Sequence, residues 1–213
     1  MKNKISMQNK ILYFASLLAV FAVFCIGVNP IHAGGVSLAM ALTAGFTKQC
    51  GSKSGGIVTA WGIDVADLTS FTLNSGTGAY SAVTLVATKT FYKFEFNRGS
   101  AEMKIGGEFG DKGSTEFKNS LEFYLGKLTQ THRNRLQDLY DSSNCGMIWI
   151  CKDGNGQKWV LGYSETLLKE YPMVMGKSDT STGKTFADPN GTTVTLETTS
   201  NEMVREYTGA DPT

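Results

Sequence analysis

The segment TFYKFEFNRGSAEMKIGGEF constrains the fold of this chain most, because apolar and polar residues alternate along it. Tyr92, Phe94 and Phe96 share one face, and the residues between them are lysine and glutamate. After the turn sequence NRGS, Met103 and Ile105 share a face in the same way. Alternation with a period of two is typical of half-buried antiparallel strands. The sequence therefore predicts a β-hairpin over this segment, with charged residues on its wet face.

The remaining strand and turn signals extend this prediction to most of the chain. Glycine is abundant, with 24 residues, and proline is scarce, with four, which favours strands joined by tight turns. One helix is predicted, capped by Thr129 at its start and ended by Gly146. Further strands are predicted at 57–65, 71–73, 80–87, 117–125, 166–174 and 192–198, and a hairpin with DGNG at its tip at 147–163. About nine strands and one helix indicate a mainly β fold, an antiparallel β-sandwich or barrel with one flanking α-helix.

Residues 1–39 form an apolar segment that has two interpretations. Ile11 to Val28 is an uncharged run of 18 residues that follows three lysines, and this order is typical of a secretory signal or a membrane anchor. Alternatively, the polypeptide begins at Met40 and the apolar segment is a misassigned upstream extension. In either case we expect residues 40–207 to form one β-rich domain with a flexible N-terminal arm, and residues 208–213 to form a C-terminal tail.

Charge and cysteine content bear on partners and compartment. Without the three lysines of the apolar segment, 17 basic and 19 acidic residues remain, a net charge of −2. This near-neutral balance carries no electrostatic footprint of nucleic-acid binding. Cys50, Cys145 and Cys151 follow the apolar segment. The number of cysteines is odd, and Cys145 and Cys151 are too far apart along a strand to form a disulfide with each other. This cysteine content favours a reducing cytoplasm over an oxidising compartment.

The sequence offers no catalytic, cofactor-binding or metal-binding set. His132 is the one histidine after the apolar segment, and its place on the polar side of the helix predicts a surface position. Trp149 lies in an apolar strand and is predicted to be a core residue, whereas Trp61 and Trp159 are compatible with a core or with a sugar-stacking platform. The segment STGKT lacks the first glycine of a phosphate-binding loop. We therefore expect a protein that is not an enzyme.

Residues 40–207 resemble virion structural proteins of tailed bacteriophages, in particular those of the tail tube type. The segments that carry the resemblance are MALTAGFTKQCGSKSGGI, TFYKFEFNRGSAEMKI, RLQDLYDSSNCGMIWICKDGNGQKWVLGY and TGKTFADPNGTTVTLETTSNEMVREY. The resemblance implies a β-sandwich or barrel that joins its sheets edge to edge into rings, and rings that stack into a conduit for DNA. It also implies copies of the chain and other virion tail proteins as partners, with no cofactor and no small-molecule substrate.

On this reading the hairpin from Phe91 to Phe109 supplies edges for a neighbouring copy, since unpaired strand edges seek partners. The glycine-rich segment from Gly106 to Thr115 and the arms at 41–56 and 201–213 are predicted to reach adjacent rings. DNA is expected to pass without specific binding. A basic lumen would bind the DNA phosphates tightly, so the lumen is expected not to be basic. The residues predicted for assembly are Tyr92, Phe94, Phe96, Gly106, Gly107, Gly110, Asp111, Lys112 and Gly113.

The expected location is a virion assembled in the host cytoplasm. The apolar N-terminal segment departs from this resemblance and keeps a second function open. That alternative is an exported, secreted or periplasmic bacterial β-sandwich that binds a glycan or protein at the cell surface, with Trp61, Trp159 and the loops as its ligand-binding residues.

Overall fold

The computed structural model describes residues 54–111 and 114–212. The apolar segment at 1–39 and most of the predicted N-terminal arm lie outside the described residues. In the described part, helix α1 spans Gln130–Cys145. The strands are β1 (Ile57–Asp64), β2 (Leu68–Leu73), β3 (Tyr80–Leu85), β4 (Tyr92–Glu95), β5 (Ala101–Phe109), β6 (Thr115–Gly126), β7 (Met147–Asp153), β8 (Lys158–Leu161), β9 (Val174–Ser181), β10 (Gly191–Ser200) and β11 (Arg205–Glu206).

The strands form three sheets, and every pair within them is antiparallel. A five-stranded sheet has the order β11-β8-β7-β1-β4, a four-stranded sheet the order β5-β6-β10-β9, and β2 and β3 form a separate hairpin. The sheets remain open, so the fold is a β-sandwich with one helix, and the barrel alternative does not hold.

The five-stranded sheet is buried on both faces. Toward the four-stranded sheet, Trp149 of β7 packs with Leu121 and Phe123 of β6. Toward the β2–β3 hairpin, Ile148 and Ile150 of the same strand pack in a second apolar cluster. The first five residues of β7 are therefore all buried, because burial on both faces removes the alternation that marks a half-exposed strand.

Helix α1 agrees with its prediction at both ends. The Thr129 hydroxyl accepts a hydrogen bond from the backbone N–H of His132 at 3.2 Å, which satisfies one of the free donors of the first turn. Gly146 ends the helix at a φ of 91°, in the region that glycine adopts without strain. Leu139 is buried in the cluster between the two larger sheets, so the helix flanks the sandwich as expected.

The predicted hairpin between Phe91 and Phe109 is wrong, because its two strands belong to different sheets. Strand β4 pairs with β1, in the register Ala60 opposite Phe94. Strand β5 pairs with β6, in the register Met103 opposite Leu121. The NRGS turn, closed by a 3.1 Å bond from the Ser100 N–H to the Asn97 carbonyl, carries the chain between the sheets. The alternation defines which side chains face the core, but it does not define which strand is the partner.

Other strand predictions divide into confirmed and corrected ones. The strands at 57–65, 80–87, 117–125 and 192–198 are confirmed, and so is the hairpin with DGNG at its tip. The strand predicted at 166–174 is wrong. Residues 164–172 form a compact loop, in which the Ser164 N–H donates to the Leu168 carbonyl at 3.0 Å, and β9 begins only at Val174.

The C-terminal residues described, 201–212, are packed against the domain rather than free. Strand β11 extends the five-stranded sheet at the edge of β8, and Tyr207 is buried beside it. The Asp211 carboxylate forms ion pairs with Lys152 at 2.9 Å and Lys158 at 3.1 Å. The predicted C-terminal arm is therefore wrong over these residues, because backbone pairing and these ion pairs hold the segment against the sheet.

Candidate assembly surface

Strands β5 and β6 extend past the sandwich core, and beyond the pair Gly107–Phe117, where β10 ends at Ser200, they form a two-stranded ribbon. Ala101 and Met103 pack at the base of the ribbon, whereas every β5 residue from Lys104 to Phe109 is exposed. We call residues 104–111 and 114–118 the ribbon end. Its backbone pairing continues to Phe109 opposite Thr115, so the strands stay paired beyond the apolar core.

An aromatic pair covers one face of the ribbon end. Phe109 is 75% exposed and meets Phe117 edge to face, with ring centroids 6.2 Å apart. A Cβ on Gly107 would lie 3.2 Å from the Phe117 ring and 3.4 Å from the Phe109 ring. Gly107 therefore leaves room for both rings above the ribbon, and Ile105, 37% exposed, continues the same face toward the core. This arrangement is a contiguous apolar strip that the described chain does not cover.

The opposite face belongs to the outer surface of the four-stranded sheet, where acidic residues outnumber lysines. We call this surface the acidic face. Neighbouring charges pair on it, for example Lys118 with Glu108 across the strands at 2.8 Å and Lys104 with Glu102 along β5 at 3.0 Å. These pairs are well exposed to water, so they contribute little to the stability of the domain. The charged residues of this face are Glu102, Lys104, Glu108, Glu116, Lys118, Glu122, Lys177, Asp179 and Glu197.

Both outer strands of the four-stranded sheet have an unpaired edge. β5 pairs only with β6 and β9 only with β10 among the strands that the structure describes. Strand β4 ends the five-stranded sheet in the same way, and Tyr92 on it is 65% exposed. An unpaired edge offers backbone N–H and C=O groups that a strand of another chain can satisfy.

The structure separates the residues predicted for assembly. Tyr92 is exposed at the edge of the five-stranded sheet, but Phe94 and Phe96 lie in the core, where both rings pack on Phe123. Phe94 and Phe96 therefore lie inside the sandwich, because β4 turns that face toward the four-stranded sheet, and Tyr92 is the exposed one of the three aromatic residues predicted for assembly.

The glycine-rich segment is also ordered differently from its prediction. Gly106 and Gly107 lie within β5, so the connection between the strands is shorter than the predicted loop from Gly106 to Thr115. Gly110 and Asp111 lie at the tip, where the Gly110 N–H donates to the Ser114 carbonyl at 2.8 Å. Lys112 and Gly113 lie outside the described residues.

Three residues of the apolar strip were not predicted for assembly, Ile105, Phe109 and Phe117. Their signal was present, because Phe109 continues the alternation of Met103 and Ile105, and Phe117 begins the alternation of β6. The two adjacent glycines at 106–107 are typical of a loop, so the sequence predicted a loop where β5 continues to Phe109.

At the base of the ribbon, a small cleft opens between the two larger sheets. Asn119 on its floor is buried, and its Oδ1 has no hydrogen-bond partner among the described residues. The rim carries Leu168, Tyr171 and Met203, each more than half exposed. Leu168 has a φ of 52°, a left-handed conformation that is uncommon for a leucine. We call these four residues the end cleft; its enclosed part has room for about one water-sized group.

The tryptophans, the histidine and the buried cysteine considered as candidate site residues do not form a site in the described structure. Trp61 and Trp149 are both buried, so neither ring is available to a sugar, and Trp159 is half-buried. His132 is exposed on α1, as predicted, with Nδ1 2.7 Å from the Lys127 carbonyl oxygen. Burial of Cys151 raises the pKa of its thiol, which keeps the sulfur protonated and unreactive.

Two further observations concern the described residues as a set. No three histidine, cysteine, aspartate or glutamate side chains converge as metal ligands between residues 54 and 212, with 112–113 left aside. No helix in the same ranges has the length and hydropathy to cross a membrane.

The chain matches no protein-family model, no curated protein and no solved structure at a significant level.

Proposed function

We propose that this protein is a non-enzymatic structural subunit of a phage virion, which assembles with copies of itself into rings of the tail tube or of a related tail component. The single observation that carries the proposal is the ribbon end, where β5 and β6 run past the end of β10 and carry an aromatic strip that the described chain does not cover. Exposing such a strip is unfavourable in water, and covering it with a second copy removes the cost.

The unpaired edges of β5 and β9 support a particular way of joining copies. They are the two outer strands of one sheet, so β5 of one copy and β9 of the next can continue the four-stranded sheet between subunits. Such a contact joins two different surfaces and repeats, and it closes into a ring when the rotation between copies allows. The aromatic strip beside β5 then adds apolar contact to the backbone hydrogen bonds of the edge.

The acidic face supports the role of a conduit. A surface on which carboxylates outnumber lysines repels phosphate groups, so DNA slides along it without being held. Continuing the four-stranded sheet around a ring would place this face on one side of every subunit. The interior of the proposed ring is that side, and the other virion tail proteins contact the remaining surfaces.

A shortened ribbon tests the proposal. Replacing residues 108–116 in the full chain by the dipeptide Asn-Gly removes Phe109 from the apolar strip, joins Gly107 to Phe117 with a tight turn and keeps the rest of the β5–β6 pairing. We expect the variant to retain the circular dichroism spectrum and melting temperature of the wild type but to lose the polymers seen by electron microscopy. Polymers of unchanged number and length would remove the ribbon end from the proposal.

The intact mass of the native protein tests the exported alternative. Loss of about 33 N-terminal residues, the length of a cleaved signal, would support export and contradict the virion role. A native protein that begins at Met40 or Ala41 would support the virion role.

A further inference from the structure

The loop between β9 and β10, residues 182–190, displays one phenylalanine ring at the end of the four-stranded sheet. Phe186 is fully exposed. The loop around it is ordered, because the Asp188 carboxylate accepts hydrogen bonds from the backbone N–H groups of Lys184 at 2.7 Å and Thr185 at 2.8 Å. These bonds also hold the pKa of Asp188 below its usual value. A structured turn thus presents an aromatic side chain that its own chain does not cover.

The end cleft lies at the other end of the same sheet. Strand β10 begins at Gly191, next to the Phe186 loop, and ends at Ser200, which lines the cleft. Its 10 residues span roughly 30 Å at about 3.3 Å per residue. Phe186 therefore cannot reach the cleft of its own chain.

The two ends also differ in charge. Lys184 beside Phe186 and Lys127, whose backbone N–H bonds to the Asn190 carbonyl at 2.7 Å, place two exposed cations at the loop end. Exposed Glu165 and Glu170 lie in the same loop as Leu168 and Tyr171 at the cleft. The cleft has two further features. The buried Asn119 Oδ1 has no hydrogen-bond partner among the described residues, and the backbone of Leu168 is in the left-handed conformation.

We propose that Phe186 of one copy docks on the Leu168–Tyr171–Met203 rim of the next copy, so that copies stack end to end along the strands of the four-stranded sheet. The partner is a second copy of this chain, and the inference rests on the proposed function. It adds a contact at right angles to the edge pairing, which repeats without closing and so lengthens an assembly. The lysines at the loop end face the glutamates at the cleft and set the orientation.

Photo-crosslinking from position 186 tests the contact directly. The full chain is made with p-benzoylphenylalanine in place of Phe186, irradiated at a concentration at which it polymerises, and mapped by mass spectrometry. We expect crosslinks between copies to residues 168–171 and 203. Crosslinks to other surfaces, or none between copies, while polymers form, would overturn the stacking contact and leave the edge pairing intact. A wild-type chain that forms no polymer at all would overturn the proposed function together with this inference.

A charge exchange provides a second test whose variants keep the fold, since both residues are exposed. Lys184→Glu and Glu170→Lys alone each place like charges at the contact, and we expect each to raise the concentration needed for long polymers about tenfold. The double variant Lys184→Glu/Glu170→Lys restores opposite charges and should recover the wild-type concentration. Single variants that polymerise normally, or a double variant as weak as the singles, would exclude the proposed orientation.

Discussion

Replacing Phe109 by serine should weaken assembly strongly and folding hardly at all. An aromatic side chain buries about 150–250 Å² when covered, so the 75% exposure of Phe109 leaves about 110–190 Å² for a partner. At ~25 cal/mol per Å² this area is worth about 3–5 kcal/mol as an upper bound. Immobilising the ring and covering it incompletely reduce the figure to about 2 kcal/mol, or about thirtyfold in affinity. In the monomer the ring contacts Phe117 and little else, so the free energy of unfolding should fall by less than about 1 kcal/mol.

Sedimentation velocity across a concentration series measures this effect, and urea unfolding measures the stability of the same samples. The matched control is Val86→Ser, which removes an apolar side chain that is 43% exposed at the end of the β2–β3 hairpin. We expect the control to polymerise as the wild type does. If Phe109→Ser associates as strongly as the control, the aromatic strip is not an interface and the reasoning fails.

Two further predictions concern the domain itself. Gly62→Ala should lower the free energy of unfolding by about 1–3 kcal/mol, because the new Cβ would lie 3.0 Å from the buried Trp149 indole. Urea unfolding measures this change. The control is Gly55→Ala, where no atom lies within 4 Å of the new Cβ. Two lysines lower the pKa of Asp211 below 3.8, so its contribution is complete above that pH and disappears as the pH falls through the lowered pKa. The melting temperature of Asp211→Asn should therefore lie below that of the wild type at pH 6, and the difference should shrink as the pH falls below 3.8. A difference that stays constant over this range would show that the ion pairs do not hold the segment.

The elements that the sequence predicted best are those whose signals are local. Helix α1 begins and ends at Thr129 and Gly146 as predicted, because capping depends on residues within one turn. The β7–β8 hairpin follows from DGNG in the same way, with the Gly156 N–H bonded to the Asp153 carbonyl at 3.1 Å. In both cases the information lies within a few residues of the feature.

The failures are long-range. Alternation assigned Phe94 correctly to an apolar face, but the choice of β1 over β5 as the partner of β4 depends on packing between sheets that the sequence order does not reveal. The C-terminal residues were predicted to be an arm because they are polar, and β11 instead pairs with the edge of β8. For the assembly surface, the sequence predicted a loop that starts at Gly106, whereas Gly106 and Gly107 pair within β5 and Gly110 lies at the tip. It missed the aromatic strip, since the exposure of Phe109 is set by the length of the ribbon beyond the core.

Sedimentation velocity of the purified wild-type chain, from low to high concentration, is the most direct test of self-assembly. The account predicts a concentration-dependent shift from a folded monomer to discrete larger species, which electron microscopy should show as rings or stacked rings. A folded protein that remains monomeric at the highest concentration reached would contradict the account.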